Sequence, residues 1–232
     1  MRIITYFLSI ILLAVLLPVH LLQAQQSEEM LLFEIDGNRY KKCNYSKEGE
    51  LESYQKLIVG SIQENTNTYR LPVELYSYNA NGELQDSTKT LYTCRPDEQQ
   101  VLLNVFSFTD YGKGSEIKVN LLDSKTFYPI SPEPGWEMKP IEFALNIDKG
   151  LVGFLGGKSK ITIYERRVVS NDTLQTEQYQ INSGVDIGVY VMGIKVKGFG
   201  YHVIEIIDKD RGIIWQKFTS EDDDSYFVIR LI

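Results

Sequence analysis

Apolar and polar residues alternate with period two along most of this chain, and that pattern constrains its fold more than any other feature. A helix cannot bury such a pattern on one face, whereas a strand does so automatically. In "TYRLPVELYSY", Tyr69, Leu71, Val73 and Leu75 share one side, and Arg70, Glu74, Tyr76 and Tyr78 share the other. "IEFALNID" sets Ile141, Phe143, Leu145 and Ile147 against Glu142, Ala144, Asn146 and Asp148. "VDIGVYV" groups Val185, Ile187, Val189 and Val191, and "GIKVKGFGYHVIEII" groups Ile194 and Val196 and, further on, Ile204 and Ile206. The 15 tyrosines, with frequent Val, Ile and Thr, agree with strand. The expected class is all-β: a strongly curved antiparallel sheet, an open or half-barrel.

The strands are punctuated by turns. "YSKEGELES" at 45–53 and "YNANGELQDS" at 78–87 both place glycine, Gly49 and Gly82, after polar residues and between alternating runs. Glycine accepts positive φ at no steric cost, so the likeness predicts one hairpin turn made twice, not a repeated binding signature. "DKDRG" at 208–212 and "SEDDDSY" at 220–226 have the same character. One segment breaks the rhythm. "DSKTFYPISPEPGWEMKP", residues 123–140, holds Pro129, Pro132, Pro134 and Pro140, out of 7 prolines in the chain. Proline removes backbone donors, so a long extended crossover loop is expected there, joining halves 27–122 and 141–232 of a single β-rich domain. Trp136 within it either pins the loop to the sheet or faces a ligand.

The N-terminus reads "MRIITYFLSIILLAVLLPVHLLQAQQSEEM": Arg2, an apolar run broken by Pro18, then Ala24 before polar residues. That is the order of a cleaved secretory signal, residues 1–24, leaving a mature domain 25–232. No Cys follows the apolar run and no later run approaches spanning length, so the expectation is a secreted or periplasmic protein that is neither a lipoprotein nor membrane-spanning after cleavage. With a net charge of −7 the chain offers no phosphate-neutralising surface, which argues against nucleic acid. In an oxidising compartment Cys43 and Cys94 can form one disulfide.

Signals for chemistry are weak. His202, the one histidine beyond the signal segment, lies on the Ile204 and Ile206 side of its strand and is expected to be a buried, hydrogen-bonded imidazole. One histidine and two cysteines do not make a metal site, so no metal or cofactor is expected. "GFLGGKS" at 153–159 has Val152 where a phosphate loop needs glycine. The "DKDRG" carboxylates begin a calcium-loop spacing that Arg211 and Gly212 break. Glu133 and Glu137 beside Trp136 are the nearest approach to a glycosidase pair, but a proline-rich loop holds two carboxyls poorly.

"NYSKEGELESYQ" and "DKDRGIIWQKF" resemble elements of the TapB-like proteins, β-rich secreted proteins of Gram-negative envelopes. That resemblance implies a curved antiparallel sheet, a half-barrel like those of lipoprotein and lipid carriers, and no catalytic residues. "INSGVDIGVYV" departs from the family's usual segment before its final strands. The functional expectation is a non-enzymatic envelope protein that acts by protein or cell-surface interaction. The alternative is a carrier of an apolar or amphiphilic ligand in the sheet's concavity. "QVLLNVFSF" motivates the carrier, because Val101, Leu103 and Val105 face one way and Leu102, Phe106 and Phe108 the other. Its candidate ligand contacts are Trp136, Phe106 and Phe108.

Overall fold

The computed structural model describes residues 35–108, 116–123, 128–129, 132–147 and 158–232, without the side chains of Asp97, Gln99, Phe106, Phe108, Asp123 and Ile147. The signal segment 1–24 and most of "GFLGGKS" lie outside the described residues. The strands are β1 (Arg39–Tyr45), β2 (Leu51–Val59), β3 (Gln63–Asn65), β4 (Thr68–Asn79), β5 (Leu84–Cys94) and β6 (Glu116–Asp123). They continue as β7 (Ile141–Ile147), β8 (Lys158–Val169), β9 (Gln178–Val191), β10 (Ile194–Asp208), β11 (Gly212–Ser220) and β12 (Tyr226–Leu231).

All of them belong to one sheet of 12 strands, in the order β2-β1-β12-β11-β10-β9-β8-β7-β6-β5-β4-β3. Strand β2 also pairs with β4, Ser53–Val59 against Asn79–Val73, and this closes a barrel of 11 strands with β3 as a short addition to β4. The all-β expectation holds. The sheet is closed rather than open, and closure removes the unpaired edges that an open sheet must protect. Tyr69, Leu71, Val73 and Leu75, and likewise Ile141, Phe143 and Leu145, are buried on the inner face as their alternation required.

One pair is parallel: Leu91–Thr93 of β5 beside Glu116–Lys118 of β6. A parallel pair needs a crossover, so the crossover is the stretch between β5 and β6 and not residues 123–140. The latter joins the antiparallel neighbours β6 and β7. Its end lies along β8: Gly135 N–H donates to the Val168 carbonyl (2.8 Å), Val168 N–H to that of Trp136 (2.9 Å) and Met138 N–H to that of Arg166 (2.8 Å).

The crossover carries the main surprise. Pro96–Phe108 is a 3₁₀ segment of 13 residues, far longer than local preference supports. Tertiary burial holds it, with Val101, Leu102, Leu103 and Val105 all at 0% exposure. Its Ser107 carbonyl accepts a hydrogen bond from Lys42 Nζ of β1 (3.3 Å), and the Ser107 hydroxyl donates to Gln216 Oε1 of β11 (3.3 Å). The segment therefore runs from the β5 side through the lumen to the opposite wall. Eight strands enclose about what side chains alone can fill, and a barrel of 11 leaves room for a plug. "QVLLNVFSF" is thus neither a strand nor the wall of an apolar cavity. Val101, Leu102, Leu103 and Val105 are all buried because a rod inside a barrel is enclosed on every side.

The two glycine turns match bond for bond. Ser46 N–H donates to Glu50 O (2.9 Å) and Gly49 N–H to Ser46 O (3.0 Å), while Asn79 N–H donates to Glu83 O and Gly82 N–H to Asn79 O (both 3.1 Å). Gly49 and Gly82 have φ of 84° and 85°. The cysteines, in contrast, are free thiols, both buried. Cys43 lies level with Tyr54 and so with Tyr78, whereas Cys94 lies level with Tyr69. The stretch of β4 from Tyr69 to Tyr78 alone spans roughly 30 Å, and a disulfide reaches only about 7 Å between Cα atoms.

Candidate functional site

Where the plug meets β8, β10 and β11 the lumen is polar, and local backbone geometry explains why. On β8 the buried residues are Ser159, Ile161 and Ile163, then Arg166 and Val168. The parity changes at a bulge around Glu165, whose φ of 50° is left-handed. A bulge inserts one residue and re-aims those after it, and here it turns Arg166 inward to 1% exposure. Its guanidinium lies 5.3 Å from the Tyr128 ring and donates to the Lys139 carbonyl (3.3 Å). Glu205 Oε1 accepts from Gln216 Nε2 (2.6 Å) and from Tyr128 Oη, which stands 3.5 Å from it and 2.9 Å from Asn104 Oδ1. Burial lifts the Glu205 carboxyl above the ordinary range, with the Arg166 charge and the two hydrogen bonds opposing it. Tyr128 is pushed well up, by burial first and then by the Glu205 charge.

Asn104, Ser107, Ser183 and Glu205 line a cavity here with Ile163, Val185, Val203 and Phe218. It offers about 10 Å³ to the centre of a water molecule, which is room for about one water and not for a lipid tail. Hydrogen bonds and, between Arg166 and Glu205, electrostatic attraction offset the cost of burying these groups.

The sequence candidates whose side chains are described do not converge on this lumen. Trp136 is 51% exposed on the outer loop, fixed through its backbone, so it neither pins that loop by burial nor shares the lumen with the 3₁₀ segment. The Phe106 and Phe108 side chains lie outside the described residues. Glu137 pairs with Arg167 on β8, and Glu133, whose carbonyl accepts from Trp136 N–H (3.1 Å), is exposed. Asp208 is consumed by its own turn, accepting from Asp210 and Arg211 N–H (both 3.1 Å), Gln178 Nε2 (3.1 Å) and the Arg211 guanidinium (2.8 Å). His202 corrects an expectation: its side chain is 78% exposed, with Nδ1 3.9 Å from Glu221. The inner face of β10 is the one bearing Val203, Glu205 and Ile207. Glu205 made that face look like the outside, and Ile204 and Ile206 made the other look like the core.

The β9–β10 hairpin is the candidate that the sequence did not single out. Strand β11 accompanies β10 only from Asp208 back to Tyr201, and β8 accompanies β9 only to Tyr190. Strand β9 is thus flanked almost to its end at Val191, while among the described residues the β10 edge from Ile194 to Phe199 faces no strand on the β11 side. Ile194 and Val196, grouped in the sequence as if for a core, are 69% and 59% exposed, and Met192 at the tip is 78% exposed. The tip is a two-residue turn, Met192–Gly193, with φ of 51° and 77°. Such turns favour Asn, Asp or Gly first, so methionine there suits neither the backbone nor water. Lys195 and Lys197 flank the apolar residues, and no carboxylate occurs from Ile187 to Gly200. Lys158 of β8 stands across from Tyr190.

No protein-family model matches the chain, and no curated protein matches it in sequence. Two solved structures are similar to it at low identity. One, from Bacteroides fragilis, is described as having a YmcC-like fold and inferred to be exported; it is 13% identical, with a TM-score of 0.46 over 84% of this chain and 94% of its own. The other, inferred to be a lipoprotein of Parabacteroides distasonis, is 11% identical, with a TM-score of 0.47 over 87% of this chain and 97% of its own. The resemblance to the TapB-like proteins finds no counterpart among these matches.

Proposed function

We propose that this is an exported, non-enzymatic envelope protein that acts by docking the β9–β10 hairpin onto another envelope component. One observation carries the reading: a barrel whose lumen is occupied by its own chain bears a hairpin end with Met192, Ile194 and Val196 in solvent. Apolar side chains gathered at an exposed end mark interaction surfaces. The carrier alternative rested on "QVLLNVFSF", which is the plug, and the cavity beside Glu205 has room for about one water.

The test is retention of the protein on washed envelope fractions from its own cells. The triple variant Met192→Ser/Ile194→Ser/Val196→Ser is expected to wash off where the wild type stays, with an unchanged Tm because the three residues are exposed. Equal retention overturns the reading. Native mass spectrometry of the detergent-free protein supplies the second check. A bare polypeptide mass is expected, and an adduct removed by organic extraction revives the carrier.

A further inference from the structure

We infer that the outer wall formed by β2, β1, β12 and β11 binds a linear acidic glycan. The inference goes beyond the hairpin reading and does not depend on it. Its ground is a row of like charges. Lys56 stands opposite Lys41, and Lys41 opposite Arg230, on three neighbouring strands. Their sequence neighbours Leu57, Tyr40 and Ile229 are buried on the inner face, so the three cations share the outer one. Like charges directly opposite one another repel. Tyr76 of β4 ends the row on one side and Trp215 of β11 on the other.

The net charge of −7 conceals this local reversal. Strands β1, β11 and β12 contain no Asp or Glu, and β2 has only Glu52, four residues along from Lys56. Glu74, two residues from Tyr76, is held by Lys89 (2.8 Å). Arg39 stands beside the Ile232 carboxylate, its carbonyl accepting from Ile232 N–H (2.9 Å), and is not counted. No described carboxylate pairs with any of the three cations in the row. Lys41 and Lys56 rest over rings instead, with Nζ 4.3 Å from Tyr54 and 5.2 Å from Tyr78. A ring face fixes an ammonium without neutralising it.

Geometry selects the occupant. Neighbouring strands are about 4.8 Å apart, so the five positions from Tyr76 to Trp215 span about 19 Å of open wall. An extended polymer charged on successive units meets one cation per strand there, whereas a single small anion meets one or two. Tyr76 and Trp215, both half-buried, supply ring surface on which a sugar ring can lie. An acidic peptide has no ring to match them, and the row carries no exposed aliphatic side chain to enter a bilayer. For a chain exported on the signal read at its N-terminus, an extended polyanion is a glycan rather than a nucleic acid.

The experiment is calorimetric titration of the full mature chain with polygalacturonate, a linear polymer of carboxylated sugars. Neutral dextran and ring-free poly-glutamate are titrated beside it. The wild type is expected to bind polygalacturonate, less tightly as salt rises, to bind poly-glutamate about tenfold more weakly, and not to bind dextran. Lys41→Gln/Lys56→Gln is expected to weaken binding about two- to fivefold per lysine, with a Tm unchanged or raised because a repulsion is removed. Trp215→Leu is expected to weaken polygalacturonate binding and leave that of poly-glutamate as it was. Lys195→Gln/Lys197→Gln, at the hairpin, is expected to bind as the wild type does. Absence of polygalacturonate binding overturns the inference, as does binding that Lys41→Gln/Lys56→Gln leaves undiminished. Equal affinity for poly-glutamate also overturns it and makes an acidic protein segment the occupant. None of these results touches the hairpin reading, whose test alters Met192, Ile194 and Val196.

Discussion

Glu205 is the residue on which pH acts most directly. Burial raises its carboxyl above the ordinary value of 4.5, so the folded protein holds this proton more tightly than the unfolded chain does. Its stabilising contribution is complete below about pH 4.5 and is lost as pH rises through the raised value. Glu205→Gln removes that titration, so its stability relative to wild type is expected to climb with pH. Urea unfolding of both proteins from acidic to neutral pH checks this, and parallel curves contradict it. Glu165 offers a second test, because its φ of 50° is what turns Arg166 inward. Glu165→Gly relieves the left-handed backbone and is expected to be neutral or stabilising by up to about 1 kcal/mol, whereas Glu165→Val is expected to cost about 1–3 kcal/mol. Equal midpoints for the two variants would show that the bulge is not under strain.

At the scale of elements, strands were legible and enclosure was not. Period two identified the inner faces of β4 and β7 because only one side of each was apolar. It misassigned β10, where a buried carboxylate occupies the inner face and two isoleucines the outer. The 3₁₀ plug was read as strand because a short run apolar on all sides looks the same as a buried strand or a buried rod. The exposed hairpin end was hidden for a related reason: alternation marks which residues share a side, but exposure depends on how far the neighbouring strand β11 reaches. Strands of 14 and 15 residues joined by a Met-Gly turn, beside a β11 of 9, were the available signal. The plug makes its own prediction. Leu103 is fully buried, so Leu103→Ala is expected to cost about 2–5 kcal/mol with an unchanged denaturant slope. A loss under about 1 kcal/mol would mean the lumen tolerates a loose plug.

For the whole molecule, the sequence suggested a single β-rich domain but left the joining of its ends undecided. Tertiary pairing decides it, with β12 seated between β1 and β11 and β2 reaching across to β4. The first strand and the last are hydrogen-bonded neighbours, Tyr40 opposite Leu231 and Tyr45 opposite Tyr226. This arrangement sets an order in time. Synthesis delivers β1 early and β12 after the other strands, so the ring cannot close until residues 226–231 have been made. The plug, made midway, has to find the lumen while the wall between β1 and β11 is still missing. Until β12 arrives, the protein is an open sheet with bare edges at β1 and β11 and an uncovered plug, and in that interval it depends most on whatever shields nascent chains from one another.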